Sequence, residues 1–181
     1  MVRARRAVHA SALQAHNGLG AGYRFRNGNV RHLAGKQEDG MSSEETIVIA
    51  GAARTPVGAF NGSLSSVPAH YLGETVMREV MGRAKVEPAE VSEVIMGQII
   101  TAAQGMNPPR QASINAGIPI ETPAWGINQV CGSGLRSVAL GYQQIKQGDD
   151  KIVISGGQES MSQSPHAATI RQGHKMGPLE M

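Results

Sequence analysis

Cysteine, aromatic residues and long apolar stretches are scarce in this chain of 181 residues, which has one cysteine and 3 % aromatic residues. A single cysteine excludes an internal disulfide framework and favours a reducing compartment. No apolar run approaches the roughly 18 residues that are needed to span a bilayer, and the N-terminal region lacks the apolar segment of a secretory signal. We therefore expect a cytoplasmic protein without a membrane partner, with the mitochondrial matrix as the alternative compartment.

Basic residues are not in excess outside the N-terminal region. Residues 1–40 contain seven Lys or Arg and two acidic residues, whereas residues 41–181 contain ten basic and twelve acidic residues. The formal net charge of +3 therefore comes from the first 40 residues alone. By its charge, the rest of the chain is not a nucleic-acid-binding surface, and we expect no nucleic-acid partner.

The basic leader, residues 1–40, has three interpretations. It resembles a mitochondrial transit peptide because it is rich in Arg and has no acidic residue before Glu38, although Ser11 is its only serine. A nucleic-acid-binding arm is the second interpretation, but the aromatic residues of the leader are few. We prefer the third, in which Met41 is the true start and the leader is disordered or a mis-assigned start. The predicted division is thus a leader, 1–40, and one folded domain, 41–181.

Four short apolar segments rich in β-branched residues predict strands. They are residues 46–52, 91–97, 125–130 and 151–155. The first is an uninterrupted apolar run of the kind that is typical of a buried central strand. Helical patterns, the first at residues 69–85, separate the strands. This alternation predicts an α/β layered sheet with the active groups at the carboxyl ends of its strands.

Two further helices are indicated by capping residues and by spacing. One begins at Pro108 after the N-cap Asn107 and ends before Gly117 and Pro119. The other ends near Gly148, and its apolar residues recur at helical spacing. The residues that we expect to pack inward on this helix are Leu135, Val138, Ala139, Tyr142 and Ile145.

The only cysteine lies in the segment 128–135, Asn-Gln-Val-Cys-Gly-Ser-Gly-Leu, between a predicted strand and the last helix. Gly132 and Gly134 allow the backbone to bend tightly there or to be approached closely. Cys131 is therefore expected at a helix N-terminus, where free N–H groups favour an anion, and the thiolate is the nucleophilic form. From these residues alone, a catalytic cysteine and a small buried apolar residue remain equal alternatives.

No other pattern indicates a cofactor or a metal. Gly105, Gly156 and Gly157 match neither a dinucleotide-binding fingerprint nor a P-loop, and we interpret them as tight turns around the sheet. No set of His, Cys and carboxylate residues has a ligand spacing better than chance. The sequence therefore predicts no metal site and no bound cofactor.

Five ordered segments resemble the motifs of one enzyme family, the thiolases. Residues 128–136 resemble its acyl-enzyme motif, and residues 53–60, 105–112, 156–162 and 175–177 resemble other segments of the family in the same order. The Gln158 form of the fourth segment, followed by Pro165 and His166, is most similar to the bacterial biosynthetic acetyl-CoA acetyltransferases. The resemblance implies a thiolase-like layered fold, its N-terminal half only, with a mixed sheet, helices on both faces and truncation in the loop excursion.

The resemblance also implies an activity, its substrates and an assembly. Thiolases reversibly condense two acetyl-CoA molecules to acetoacetyl-CoA and CoA through an acyl group on a nucleophilic cysteine, here Cys131. The backbone N–H of Cys131 would also help to hold the thioester oxyanion. Acetyl-CoA and acetoacetyl-CoA are substrates, so no cofactor is implied. A homo-oligomer, dimer or tetramer, is expected, and Met176 is a candidate for an interface or pocket residue.

The motifs of the second half of the family do not occur in this sequence. None of the six histidines lies in the Gly-His-Pro context of the activating base, and there is no second cysteine. We interpret His166 and His174 as loop residues. Activity is therefore expected only together with a C-terminal half, and the isolated half is expected to aggregate through exposed apolar surface. A degradative 3-ketoacyl-CoA thiolase and a catalytically inert truncated fragment are the alternatives.

Overall fold

The computed structural model describes residues 12–14, 46–167, 170, 173, 176 and 177. Within these residues the chain forms four β-strands, three α-helices and two 3₁₀ turns. The strands are β1 (Ala12–Gln14), β2 (Glu93–Gly97), β3 (Ala124–Ile127) and β4 (Ile152–Gly157), the helices are α1 (Ala69–Ala84), α2 (Pro108–Asn115) and α3 (Ser133–Gln147), and the 3₁₀ turns are Pro88–Glu90 and Met161–Gln163. None of these helices is long and apolar enough to cross a membrane.

The strands form one mixed sheet in the order β1-β4-β2-β3. The central strand β2 runs parallel to both neighbours, and Ile95 lies opposite Trp125 of β3 and Ser155 of β4. The edge strand β1 runs antiparallel to β4. Parallel neighbours joined through helices are the pattern of a layered α/β protein, so the predicted fold class is confirmed.

Helices cover both faces of the sheet, as predicted. Val94 and Met96 of β2 are fully buried on one face, in a cluster that includes Met77 of α1 and Ala112 of α2. Ile95, between them, points to the opposite face and packs against Ile145 of α3. This alternation follows from the two-residue period of a strand, and it explains why β2 is apolar on both sides.

The helices begin and end close to the predicted positions. Asn107 caps α2, because its Oδ1 accepts a hydrogen bond from the Arg110 backbone N–H at 3.0 Å, and Pro108 is the first helical residue. Gly117 after α2 and Gly148 after α3 have φ values of 91° and 86°, which favour glycine. The capping signals of the sequence therefore located these helices correctly.

The segment 46–52 is not the buried central strand that its apolar run predicts. Ile47 and Val48 pack against the cluster of Ile95 and Val153, but Ile49 is 59 % exposed and the segment forms no strand. In this structure the edge of β4 is paired with β1 instead, so the 46–52 backbone has no place in the ladder. An apolar run alone predicted burial, whereas a strand also requires a free neighbouring edge.

Strand β1 belongs to the basic leader. Its register sets Ala12 opposite Ile154 and Gln14 opposite Ile152. The other residues of 1–40 lie outside the described part of the chain, as do residues 41–45. The division into a leader and a domain beginning at Met41 therefore remains a prediction.

The inward face of α3 differs from the predicted one. Leu135 is 78 % exposed, and Ala139 and Tyr142 are exposed as well, whereas Ile145 is buried as expected. Ser133, Ser137 and Gly141 face the sheet in their place. The reason is that the start of α3 approaches β2 so closely that only small side chains fit between them. Farther along the helix, Val138 and Ile145 pack against the sheet as predicted. Gly156 and Gly157, interpreted as tight turns, are the last residues of β4.

Candidate active site at the Cys131 turn

Cys131 lies on the turn between β3 and α3, one residue before the helix N-cap Gly132. The residue is exposed and its thiol is free. Because β2, β3 and β4 are parallel, their carboxyl ends meet at the same edge of the sheet, where the turn is located. The structure therefore has Cys131 at the predicted position, before a helix at the carboxyl edge, and not in the core.

The turn depends on an unusual backbone conformation at Val130. Its φ is 50°, in the left-handed region that β-branched residues rarely adopt, which costs about 1–3 kcal/mol. Gly132, which was expected to provide the bend, has an ordinary φ of −84°. The bend is therefore made by a strained valine, and the surrounding hydrogen bonds must hold it.

Ser133 holds the turn from the helix side. Its Oγ accepts a hydrogen bond from the Gln129 backbone N–H at 2.8 Å and donates one to the Val130 carbonyl at 2.6 Å. Its side chain is nearly buried, with 4 % of the residue exposed. The sequence analysis did not single out Ser133, although a serine in the first turn of a helix commonly bonds to the nearby backbone.

Close packing fixes the start of α3 on the sheet. A Cβ added to Gly97 of β2 would lie 2.4 Å from the Ser133 carbonyl carbon and 2.5 Å from the Gly134 nitrogen. Another group does closely approach Gly134, as expected. The position that must be glycine to allow this approach is Gly97, not Gly134. Any larger residue there would displace the helix that follows Cys131.

The loop after β2 contacts the turn from the other side. Asn128 donates from Nδ2 to the Ile99 carbonyl at 3.2 Å, and its Oδ1 accepts from the Val130 backbone N–H at 2.9 Å. Glu159 accepts from the backbone N–H groups of Ile99, at 2.7 Å, and of Ile100, at 3.4 Å. The contacts with Ile99 were not predicted, because Ile99 lies 29 residues from Asn128 and 60 residues from Glu159 in the chain.

Three buried glutamines stiffen the same loop. Gln98 Nε2 donates to Gln104 Oε1 at 2.9 Å, and Gln158 Nε2 donates to Gln98 Oε1 at 2.9 Å. Gln98 and Gln104 also donate to the Ile100 carbonyl. Connected amides in a buried site reinforce one another, so the loop beside the turn is held rigidly.

A cavity of about 360 Å³ lies between this loop, the end of β3 and the start of α2. Asn128 and Ile99 form the part of its wall nearest to the turn, and Met106, which is 98 % exposed, stands at the start of α2. Its volume is within the range of small-molecule sites. Cys131 does not line it.

The other residues named from the sequence are not gathered at the turn. Met176 is 89 % exposed and His166 is exposed, while His174 and Lys175 lie outside the described residues. His70 is on α1, with its ring 4.4 Å from that of Tyr71. None of the hydrogen bonds of the described residues joins these side chains to the Cys131 turn, and the role of Met176 stays a prediction.

A pair of carboxyl groups lies at the opposite, amino edge of the sheet. Burial, followed by a hydrogen bond and charge repulsion from Glu93, raises the pKa of Asp150 to about 6, against a partly opposing hydrogen bond from Ser92. Glu93 accepts from Trp125 Nε1 at 2.7 Å. This pair is built from the start of β2 and the loop before β4, and it has no contact with the Cys131 turn.

Fold and site together define a class: layered α/β proteins that present a cysteine before a helix at the carboxyl ends of parallel strands. The family described as thiolase, N-terminal domain, matches residues 47–181. The chain therefore belongs to the thiolase family, of which it contains the N-terminal domain.

Individual relatives agree with this assignment. The chain is 60 % identical over 134 residues to an acetyl-CoA acetyltransferase of Paracoccus denitrificans, covering 74 % of this chain and 34 % of the relative. It is 54 % identical over 140 residues to the cytosolic acetyl-CoA acetyltransferase of Rattus norvegicus, covering 77 % of this chain and 35 % of the relative. The chain thus spans about a third of the length of these curated relatives.

A solved structure shares the fold. The crystal structure of the Acat5 thiolase from Ascaris suum in complex with coenzyme A superposes with a TM-score of 0.63 at 35 % sequence identity. The match covers 64 % of this chain and 30 % of that chain. The similarity supports the layered fold that the sequence predicts, in its N-terminal part.

Proposed function

We propose that this chain provides the acyl-carrying part of an acetyl-CoA acetyltransferase and that Cys131 is the residue that carries the acetyl group. The observation behind the proposal is the exposed thiol of Cys131 at the turn before α3. Relatives at 50–60 % identity that are named acetyl-CoA acetyltransferases support the choice of reaction. A neighbour in complex with coenzyme A supports a CoA thioester as the substrate class.

The proposed half-reaction is an acyl transfer between two sulfur atoms. The Cys131 thiolate attacks the carbonyl carbon of acetyl-CoA, forming a C–S bond, and the bond from that carbon to the CoA sulfur breaks. The CoA thiolate leaves with the electron pair and takes up the proton that Cys131 has lost. Acetyl-cysteine and free CoA are the products, and a second acetyl-CoA would then accept the acetyl group.

The location of Cys131 fits two requirements of this step. The N-terminal N–H groups of α3 favour a negative charge next to the residue, and the neighbouring cavity offers space for a small substrate. We also propose that the Cys131 backbone N–H helps to hold the developing oxyanion. We propose that a second donor and the activating base come from the part of the thiolase fold that this chain, at about a third of the length of its curated relatives, does not cover.

Acetylation of Cys131 tests the proposal directly. The purified chain is incubated with acetyl-CoA and quenched with acid, and its peptides are mapped by mass spectrometry, with the Cys131→Ser variant as control. Because turnover is expected only together with a C-terminal half, we expect slow acetylation of the Cys131 peptide without formation of acetoacetyl-CoA, with CoA released in equal amount, and no acetylation of the variant. A Cys131 that stays unmodified although it reacts with iodoacetamide would instead favour the inert fragment.

The proposal extends to assembly and location. The longer protein is proposed to be a cytoplasmic homo-oligomer, which subcellular fractionation and light scattering of the native protein would test. A native N-terminal peptide that begins within the basic leader after cleavage would favour the mitochondrial matrix. A native N-terminus at Met41 would support the preferred start.

A further inference from the structure

The Glu159 carboxylate accepts hydrogen bonds from the backbone of another loop. It follows β4, and its two carboxylate oxygens accept from two consecutive N–H groups, those of Ile99 at 2.7 Å and Ile100 at 3.4 Å. Hydrogen bonds to an ionised carboxylate are about twice as strong as neutral ones. The side chain therefore fixes the start of the loop after β2 more firmly than a neutral residue would.

Ile99 is also connected to the cysteine turn through Asn128. The N–H of Ile99 is bound by Glu159, and the carbonyl of Ile99 accepts from Asn128 Nδ2 at 3.2 Å. The other end of that amide, Oδ1, accepts from the Val130 N–H at 2.9 Å. Three hydrogen bonds in series thus connect Glu159 with the residue that precedes Cys131.

Val130 is the residue that needs this support. A left-handed conformation of a β-branched residue persists only where the surroundings determine it more strongly than its own preference. Ser133 binds the Val130 carbonyl from α3, and Asn128 binds the Val130 N–H from the loop side. If the loop side were released, the Gln129–Val130 peptide would lose the bond at its N–H, the φ of Val130 would be held less firmly, and the thiol would change direction with it.

We infer that Glu159 is a positioning residue for Cys131: its carboxylate fixes the loop after β2, and this loop, through Asn128, holds Val130 in its left-handed conformation. Glu159 acts on the direction of the thiol and has no contact with the reacting atoms. The inference rests on the proposed function, in which Cys131 is the reacting group. It adds a residue outside the turn to those that determine the direction of the Cys131 thiol.

Alkylation of the thiol tests the inference without any CoA substrate. Cys131 is the only cysteine of the chain, so the rate of reaction with iodoacetamide reports on this residue alone. Glu159→Gln replaces one of the two acceptor oxygens with an NH₂ group that opposes a backbone N–H. We expect the rate near neutral pH to fall about fivefold, which is less than the roughly 10- to 150-fold change that corresponds to one charge-assisted hydrogen bond.

Glu90→Gln is the matched control. Glu90 Oε2 accepts from the Glu87 backbone N–H at 2.9 Å in the 3₁₀ turn before β2, at the opposite edge of the sheet. The variant loses the same kind of hydrogen bond without affecting the loop after β2, so its alkylation rate should equal that of the unmodified chain. Equal rates in Glu159→Gln and Glu90→Gln would overturn the inference.

A second variant tests the connection through Asn128. Asn128→Asp keeps the acceptor for the Val130 N–H and loses the donor to the Ile99 carbonyl. When hydrogen bonds act in series, the loss of any one of them causes most of the effect. The double variant Glu159→Gln with Asn128→Asp should therefore react about as slowly as the slower of the two single variants. Rate factors that multiply would mean that the two residues act separately, and would contradict the inference.

The pH profile of alkylation separates positioning from general loosening. A chain that has only become less stable changes its rate by a similar factor at every pH, whereas a thiol redirected relative to the α3 N-terminus changes the shape of the profile. We expect a changed shape for Glu159→Gln and an unchanged one for Glu90→Gln. Because acetyl-CoA takes no part, a failure of the proposed acetylation would leave this result intact.

Discussion

The two edges of the sheet use carboxyl groups in opposite ways. At the carboxyl edge, Glu159 faces two backbone N–H groups and has no acidic neighbour among its hydrogen-bond partners in the described part of the chain. At the amino edge, Asp150 faces Glu93, and its pKa rises to about 6. Hydrogen-bond donors around a carboxylate stabilise its charged form, whereas burial together with a second carboxyl destabilises that form and makes the charge depend on pH.

This difference indicates that the carboxyl edge of the sheet is the more rigid of the two. The carboxyl edge combines a close backbone approach at Gly97, an amide network around Gln98 and the hydrogen bonds of Ser133. The amino edge depends on a few side-chain contacts between Glu93, Trp125 and Gln144. Substitutions at the carboxyl edge should therefore change the geometry of the turn as well as stability, and those at the amino edge should change stability alone.

The largest expected effect is at the carboxyl edge. Gly97→Ala would bring a methyl group within 2.4 Å of the Ser133 backbone, so α3 must move, and we expect the free energy of unfolding to fall by about 3 kcal/mol. Urea denaturation followed by circular dichroism measures it. Gly82→Ala, at an exposed α1 position with open space around it, is the control and should raise stability by about 1 kcal/mol. Similar losses in both variants would remove the contrast between the edges.

A smaller effect is expected from the single tryptophan at the amino edge. Trp125→Phe keeps an aromatic ring but removes the Nε1 donor to the buried Glu93 carboxylate, which should cost about 2 kcal/mol of stability. The alkylation rate of Cys131 should stay the same. Tyr142→Phe, which alters an exposed ring on α3, is the control and should change stability by less than about 0.5 kcal/mol. A change of thiol reactivity in Trp125→Phe would mean that the two edges are coupled.

The smallest effect concerns pH. The pKa of Asp150 is raised from 3.8 to about 6 in the folded chain, so the folded state binds more protons than the unfolded state between these values. Stability is therefore greatest below pH 3.8 as far as this group is concerned, and is lost as the pH rises through about 6.

Asp150→Asn should remove this loss. Because Asp150 is only half-buried and its charge is partly screened by solvent, we expect a gain of about 1 kcal/mol at neutral pH and none in strong acid. Denaturation at a series of pH values measures the effect, and Glu121→Gln, at an exposed loop position, is the control. An equal gain at every pH would show that the ionisation of Asp150 is not its source.

Local sequence signals predicted the helices, the parallel strands and the position of Cys131. The capping signals of Asn107, Pro108, Gly117 and Gly148 act within about one helical turn of the residue itself, so they hold in the folded chain as well. The inward face of α3 was wrong because the packing distance set by Gly97 is a property of two distant segments.

The hydrogen bonds that support the Cys131 turn could not be predicted from the sequence either. Glu159 and Asn128 both bind Ile99 only because β2, β3 and β4 lie side by side in the sheet. No spacing along the chain predicts that these residues come together. The strand expected at 46–52 was wrong for the same reason, since pairing depends on which sheet edge is available.

Val130 also bears on how this domain tolerates sequence change. Its left-handed φ of 50° is one that Gly or Asn adopts readily, so either residue there would relieve strain of about 1–3 kcal/mol. Natural domains are stable by only about 5–15 kcal/mol, and a gain of that size would be easily selected if stability were the only criterion. Valine at this position is therefore not the residue that the stability of the backbone alone would favour.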